Sequence, residues 1–394
     1  MWVKKRHRVI IGILRVLLTP YFKLKYKFKH SKRIKLGKGS VVLCNHTTTM
    51  DPFFVSFLFK ENLYFMASKD IFNHKFTGRL IRWLVNPIPK EKGKKSDITA
   101  IKNCMRIIKE GGNICIFPEG NRTFSGKLGN VDYSIVKLVK ALKVPLVICN
   151  INGGFGTDPR WGNKIRKGHL YAGVKSFYQY NEIKDMDNDL LYDLIINELT
   201  VDDFNFYSKY RGKNLAEDLE RIFYVCPCCG MMHSIYTKKN NIYCKKCGLE
   251  VIYNEDLSFT ADREKFTFKY VYEWYNWQIE LLKKNEYATT DLIYTDDMEL
   301  YLSEPFKPKK LIGDGKIKMF NNRFEFISDE ELITFNFDDI SAMTLVGKKK
   351  INIYIGNITY QLFKSSKTNL LKYLHTYYVI KNKNTGGNYE FLGL

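Results

Sequence analysis

The sequence predicts an α/β domain, then a short cysteine-rich segment, then a small antiparallel β domain closed by a C-terminal helix. Three patterns carry that expectation. Between Ser40 and Asn150, short apolar runs alternate with helix-like stretches, as in layered α/β domains. Cys226, Cys228, Cys229, Cys244 and Cys247 cluster within one short stretch. From about Ala288 the apolar residues fall into short runs broken by hairpin-turn pairs, Asn321-Asn322 and Gly356-Asn357.

Residues 1–30 form the first element. No Asp or Glu precedes Asp51, while Lys and Arg recur from Lys4 to Lys38. The apolar run from Val9 to Leu18 is about half the ~20 residues a spanning helix needs, and it contains Arg15. Lys4 to Arg8 has the look of a signal-peptide start, but Thr19-Pro20-Tyr21-Phe22 supplies no small-residue cleavage site. The expectation is a helix lying in a membrane interface beside a polybasic stretch. The alternative is an ordinary helix packed on the domain.

The α/β domain spans 31–218. Val41 to Cys44 predicts a strand, and Pro52 to Phe59 a helix with Asp51 as N-cap and Pro52 at its first position. Leu63 to Met66 reads as a strand. A helix opened by Ser96 or Asp97 runs to Lys109 and stops at Gly111-Gly112. Asn113 to Phe117 is a strand, Tyr133 to Leu142 a helix and Val144 to Cys149 a strand. The cysteine segment covers 219–255. Residues 256–287 form an aromatic helix in which Phe266, Tyr270, Trp274, Trp277 and Leu281 make a core-facing stripe. In 288–383, strands are expected at Leu311 to Phe320, Arg323 to Ile327, Leu332 to Phe337, Ile351 to Ile355 and Ile358 to Phe363. A helix from about Thr368 to Val379 follows. That order resembles a pleckstrin-homology-like barrel in architecture, and 384–394 reads as a tail.

A chain of 394 residues suits two or three domains. Its 63 Lys and Arg against 41 Asp and Glu give a net charge of +22, which calls for an anionic partner. The basic residues gather in the apolar N-terminal segment, and the cysteine segment offers no base-reading helix. An anionic membrane surface is therefore expected, and nucleic acid is not. Cys44, Cys115 and Cys149 sit in apolar runs, as small buried hydrophobes do. Free thiols and metal-type spacing point to a reducing compartment, so the expected place is peripheral, on the cytoplasmic face of the cell membrane.

Two stretches carry chemistry. In Asn45-His46-Thr47-Thr48-Thr49-Met50-Asp51-Pro52, a His follows an apolar strand and an Asp begins the next helix. Such an Asp can orient the imidazole and stabilise its cation, leaving the other ring nitrogen as a base. No Ser or Cys in nucleophile context accompanies them, so the base would activate a substrate hydroxyl. In Ile116-Phe117-Pro118-Glu119-Gly120-Asn121-Arg122-Thr123, Arg122 suits bidentate phosphate contact, and Glu119 can anchor a hydroxyl or a neighbouring cation. The plain alternative is a surface turn with a structural ion pair.

Together, Asn-His-x4-Asp and Phe-Pro-Glu-Gly-x-Arg-Thr resemble the lysophosphatidic acid acyltransferase family of glycerolipid acyltransferases. Ile88-Pro89-Lys90-Glu91-Lys92-Gly93 falls where that family has its second box, Val144-Pro145-Leu146-Val147 matches its fourth, and Asp158-Pro159-Arg160-Trp161 is similar to its bacterial branch. The resemblance covers roughly residues 30 to 180. It implies a mixed sheet flanked by helices, His46 and Asp51 as catalytic residues, and Glu119, Gly120, Arg122, Lys90 and Lys92 at the substrate. The second box here carries Lys where the family usually has Arg. The implied reaction moves an acyl group from acyl-CoA or acyl carrier protein to the hydroxyl of lysophosphatidic acid. Glycerol-3-phosphate or another lysophospholipid is the alternative acceptor, and a scaffold with an inactive domain is the alternative of another class. No catalytic cofactor is implied.

Cys226-Pro227-Cys228-Cys229-Gly230 and Cys244-Lys245-Lys246-Cys247-Gly248 form two Cys-x2-Cys-Gly knuckles that resemble a zinc ribbon. Four thiolates make a closed, structural site. The expected ligands are Cys226, Cys229, Cys244 and Cys247, with Cys228 spare and His233 nearby.

Overall fold

A computed structural model describes residues 1–72, 75–90, 98–304, 309–364 and 367–385. The chain forms two compact units, Met1–Arg160 with Lys164–Gly212, and Trp161–Asn163 with Lys213–Leu394.

Among the described residues, the first unit is built on seven strands: β1 Phe28–His30, β2 Val41–Cys44, β3 Leu63–Ser68, β4 Ile88–Lys90, β5 Asn113–Ile116, β6 Leu146–Asn152 and β7 Leu170–Tyr178. Its helices are α1 Lys5–Tyr26, α2 Asp51–Ser56, α3 Lys75–Leu84, α4 Ile98–Lys109, α5 Ser134–Leu142, α6 Gly154–Thr157, α7 Tyr180–Ile183, α8 Asn188–Leu199 and α9 Asp203–Phe206. The sheet order is β1-β7-β6-β2-β5-β3-β4. Strands β6, β2, β5, β3 and β4 run parallel, and β7 is antiparallel to β6, so the sheet is mixed.

Strands β2 and β5 are buried along their whole length, which is why they read as continuous apolar runs rather than alternating ones. The two-residue period still sorts the faces. Val41, Leu43, Ile114, Ile116 and Ile148 join a core with residues of α4, α5 and α8. Val42, Cys44, Cys115, Val147 and Cys149 join the opposite core with residues of α1 and α2.

Helix α1 is part of that second core, so residues 1–30 belong to the first unit and are not a separate body. Phe22 is fully buried and meets Phe28, Phe54 and Phe57 edge-on. The helix continues through Pro20, where the Thr19 hydroxyl donates to the Arg15 carbonyl at 2.5 Å. Its apolar residues are divided between its two faces: Ile11, Phe22 and Tyr26 are buried, while others point outward. His7 and Arg15 are buried: His7 Nδ1 lies 3.1 Å from the Tyr64 hydroxyl, and Arg15 donates to the Glu61 carbonyl at 3.0 Å. Outward, Val9, Ile13, Val16, Leu17 and Leu24 are exposed, Leu24 to 81%. No helix among the described residues is long and apolar enough to cross a membrane.

Several boundaries differ from expectation. Helix α2 begins at Asp51 itself, with Met50 at the cap position, and ends at Ser56. The Ser96 or Asp97 start of α4 lies outside the described residues. Helix α3, strand β7 and helix α8 were not anticipated, although Asp187 caps α8 by accepting the Asp189 N–H at 2.8 Å and was a readable start signal.

The second unit opens with a four-stranded antiparallel sheet, β8 Ile235–Lys238, β9 Asn241–Cys244, β10 Glu250–Tyr253 and β11 Phe259–Ala261, so the sheet of the cysteine segment extends past 255. Helix α10, Val271–Lys284, excludes Phe266 and uses Tyr270 as its N-cap. Trp274 is buried, stacks on Phe223 at 4.0 Å and donates to the Val225 carbonyl at 3.0 Å. Then come β12 Tyr294–Ser303, β13 Lys310–Met319, β14 Arg323–Ser328, β15 Leu332–Asn336, β16 Ala342–Val346, β17 Lys350–Ile355 and β18 Ile358–Phe363. They form an antiparallel sheet in the order β15-β14-β13-β12-β18-β17-β16, followed by α11 Leu371–Thr385. Strand β12, absent from the sequence reading along with β16, pairs with both β13 and β18 and joins the two halves. Most of the expected tail lies outside the described residues.

Because α1 is core, Phe22→Ala should destabilise the first unit by ~3–5 kcal/mol, the usual loss for a buried Phe. Denaturant unfolding measures this, and a loss below ~1 kcal/mol would show that α1 is an appendage.

Candidate active site and metal site

Strands β2 and β5 are parallel neighbours, with Leu43 paired to Ile116. Their following loops therefore leave the same edge of the sheet, the carboxyl edge where open α/β sheets place ligands. His46 stands two residues past β2, and Glu119 three residues past β5. The chain folds this way locally because Asn45 ends β2 with a side-chain clamp. Its amide donates to the Ile151 carbonyl at 2.9 Å and accepts the Ile151 N–H at 2.8 Å, fixing the loop to β6.

His46 Nδ1 lies 2.8 Å from Asp51 Oδ2. Asp51 is wholly buried and accepts three further bonds, from the Thr47 N–H at 2.6 Å, the Thr48 N–H at 2.9 Å and the Thr48 hydroxyl at 2.6 Å. Those donors fix the carboxylate, which in turn fixes the ring with Nδ1 as its donor and Nε2 as the free base. The imidazole stacks on Phe117 at 4.3 Å and keeps 19% of its side chain exposed.

Glu119 is buried, and both its oxygens are engaged by backbone. Oε1 accepts the His46 N–H at 2.5 Å, and Oε2 accepts the Gly129 N–H at 2.7 Å. Burial pushes its carboxyl up to about 8, against the pull of those two donors. Its place is thus between the two loops rather than on an outside hydroxyl or a neighbouring cation. A second bond joins the loops where the Thr123 N–H donates to the His46 carbonyl at 3.0 Å. Gly120 adopts a left-handed conformation, φ 70°, and its N–H donates to the Phe117 carbonyl at 3.0 Å, so that amide is committed to the turn.

Arg122 is half-buried, and its side chain has no hydrogen-bond or ion-pair partner among the described residues. Lys90 is exposed at the end of the edge strand β4, on the same sheet edge but two strands beyond β5. Lys92 lies outside the described residues.

Sequence reasoning missed the support beneath the Thr47-Thr48 turn. Asp203 is wholly buried and accepts the N–H groups of Gly153 at 2.6 Å and Phe155 at 2.7 Å. Burial raises its carboxyl to about 6. The glycine turn it holds sits against the Thr47 side chain, with no room for a Cβ on Gly154. Nothing local in the sequence connects Asp203 with His46. The clamp of Asn45 was legible in principle, as an Asn at a strand end.

In the second unit, Cys226, Cys229, Cys244 and Cys247 bring their sulfurs within 4.8 Å of one another. The Cys226–Cys247 and Cys229–Cys244 separations are each 3.7 Å. Tetrahedral Zn–S bonds of ~2.3 Å would set such sulfurs about 3.8 Å apart, so the four thiols fit a metal ion. Cys228 is outside the group. The backbone makes the knuckles: Gly230 and Gly248, both at positive φ, return their N–H groups to Cys226 and Cys244.

Residues 25–152 match the family model described as Acyltransferase. A 1-acyl-sn-glycerol-3-phosphate acyltransferase of Bacillus subtilis is 27% identical over 124 residues, covering 30% of this chain and 60% of that protein. A 1-acyl-sn-glycerol-3-phosphate acyltransferase of Cocos nucifera is 24% identical over 115 residues, covering 29% of this chain and 37% of its own length. The chain thus spans less than two thirds of either curated relative. The crystal structure of the 1-acyl-sn-glycerophosphate (LPA) acyltransferase PlsC from Thermotoga maritima aligns with a TM-score of 0.41 at 16% identity, over 49% of this chain and 79% of that one. The stretch that holds His46, Asp51, Glu119 and Arg122 is therefore the stretch that matches the acyltransferase family.

Proposed function

We propose that the chain transfers an acyl group from an acyl thioester, on CoA or acyl carrier protein, to the free hydroxyl of lysophosphatidic acid, giving phosphatidic acid for phospholipid synthesis. The observation that carries this reading is the His46–Asp51 pair at 2.8 Å, bonded through backbone to the loop of Arg122. His46 Nε2 accepts the hydroxyl proton while the hydroxyl oxygen attacks the thioester carbonyl. The new C–O ester bond forms, the C–S bond breaks, and the imidazolium returns the proton to the departing thiolate. Asp51 holds the Nδ1 proton throughout and stabilises the cation. The Arg122 guanidinium takes the acceptor phosphate, which turns a bimolecular encounter into an oriented one. A thiolate leaves readily, so the residues need no metal at this site.

His46→Ala should lower turnover by ~10²–10⁴-fold with the fold intact, and Asp51→Asn should follow it. Retention of more than about a tenth of wild-type turnover by His46→Ala would end the general-base assignment.

We also read the four-cysteine cluster as a structural zinc site, which would hold β8 and β9 against the first knuckle. Purified protein should carry about one zinc per chain, the load of one closed site. Metal analysis should show it lost in Cys244→Ser and kept in Cys228→Ser; the reverse pattern would reassign the ligands. The strand order of the larger sheet and its C-terminal helix support the pleckstrin-homology-like reading of 288–383.

A lipid acceptor requires a bilayer surface, and we place the contact on α1, peripherally, at the cytoplasmic face of the cell membrane. Val16 and Leu17 are 73% and 67% exposed on the apolar outer face, with Lys23 and Lys25 in the last turn for anionic headgroups. Since Phe22 and Tyr26 are core, removing the helix would damage the fold, and the outer face must be changed alone. Ile13→Ser, Val16→Ser, Leu17→Ser and Leu24→Ser combined should abolish flotation with anionic liposomes and spare turnover of detergent-dispersed acceptor. Undiminished flotation would locate the contact elsewhere.

A further inference from the structure

The geometry points to Arg160 as a positioning residue for Arg122, and through it as a determinant of selectivity for a phosphorylated acceptor. This rests on the proposed acceptor reading. Arg160 lies beyond residues 25–152, which match the family model, and 38 residues from Arg122 in sequence. It is only 4% exposed. A guanidinium so buried must be fully engaged to be tolerated. Its Nη1 donates to the Arg122 carbonyl at 2.8 Å, and its plane sits over the Phe124 ring at 3.8 Å.

Arg122 is thereby held through the peptide bond that follows it. Its own carbonyl is held by Arg160, and the N–H of the next residue, Thr123, is held by the His46 carbonyl. The Arg122 Cα is fixed relative to the base, while its side chain keeps its donors for a ligand. Backbone fixation of this kind sets where a phosphate sits without touching it. A misplacement of ~1 Å from a residue remote from the chemistry can lose up to ~10²-fold in rate. Lys at position 160 would keep the charge but lose the planar stack on Phe124 and the forked donors.

The test compares Arg160→Lys, Arg122→Ala and the double variant in the full chain, with lysophosphatidic acid and with monoacylglycerol, which has no phosphate, as acceptors. Arg160→Lys should raise the KM for lysophosphatidic acid roughly tenfold, with the KM for acyl-CoA and turnover of monoacylglycerol unchanged. In the Arg122→Ala background, Arg160→Lys should add no further loss, because the group it positions is gone. Equal losses toward both acceptors, or additive losses in the double variant, would overturn the inference and leave Arg160 a general structural residue. If Arg160→Lys fails to fold, Phe124→Leu removes the stacking plane and must show the same acceptor-selective rise; an unselective loss overturns the inference. An Arg122→Ala variant with unaltered KM for lysophosphatidic acid would instead defeat the acceptor reading itself.

Discussion

One buried carboxyl group, that of Glu119, joins the loop after β2 to the loop after β5. Glu119 accepts the backbone N–H of His46 with one oxygen and that of Gly129 with the other. Parallel pairing of β2 with β5 brings the loops to one edge, but pairing ends at the strand termini and leaves the loops free to diverge. Glu119 closes that gap. A carboxyl group suits the task because each of its two oxygens can accept a backbone donor. The Thr123 N–H to the His46 carbonyl supplies a return bond, so His46 is held through both its backbone groups. From that anchor Asp51, also buried, needs only its own local turn to aim the ring.

The N-terminal helix follows a different constraint. A surface helix normally turns its apolar stripe inward and its charges out. Helix α1 buries His7 and Arg15 against Tyr64 and the Glu61 carbonyl, and leaves Val9, Ile13, Val16, Leu17 and Leu24 outside. Burying a guanidinium is tolerable only with partners, and burial does lower the affinity of Arg15 for its proton, to about 10. These exposed apolar side chains are the ones the proposed membrane contact would cover. The same helix delivers Phe22 and Tyr26 to the core beside α2, whose first residue is Asp51. In this chain the layer that meets the proposed bilayer is thus also the layer that backs the site.

Much of the first unit was legible because its strands are buried on both faces and so read as short uninterrupted apolar runs. His46 and Asp51 were legible as a pair because five residues separate them, within one strand–turn–helix. The four clustered thiols were legible for a similar reason: each knuckle is local, and only the join between knuckles is long-range. What escaped was the long-range part. The role of Glu119 could not be read, since its partners are backbone atoms of other loops. Asp203 and Arg160 were invisible as supports for the same reason. The bridging strand β12 escaped because Thr295, Asp296, Asp297 and Glu299 interrupt its pattern, whereas the edge strand β16, Ala342–Val346, is a short apolar run that was readable. Helix boundaries slipped by a few residues, as they do wherever caps are backbone-made.

In the proposed reaction a phosphate-bearing lysophospholipid gives up its hydroxyl proton to His46 and leaves as a diacyl lipid. Mass spectrometry of the lipid products tests this most directly, with the purified full chain, one acyl thioester and an equimolar mixture of lysophosphatidic acid, glycerol-3-phosphate and lysophosphatidylcholine. Phosphatidic acid is the expected dominant acylated product. Acylated glycerol-3-phosphate as the main product, or no acylated lipid from a folded, metal-loaded protein, would contradict it.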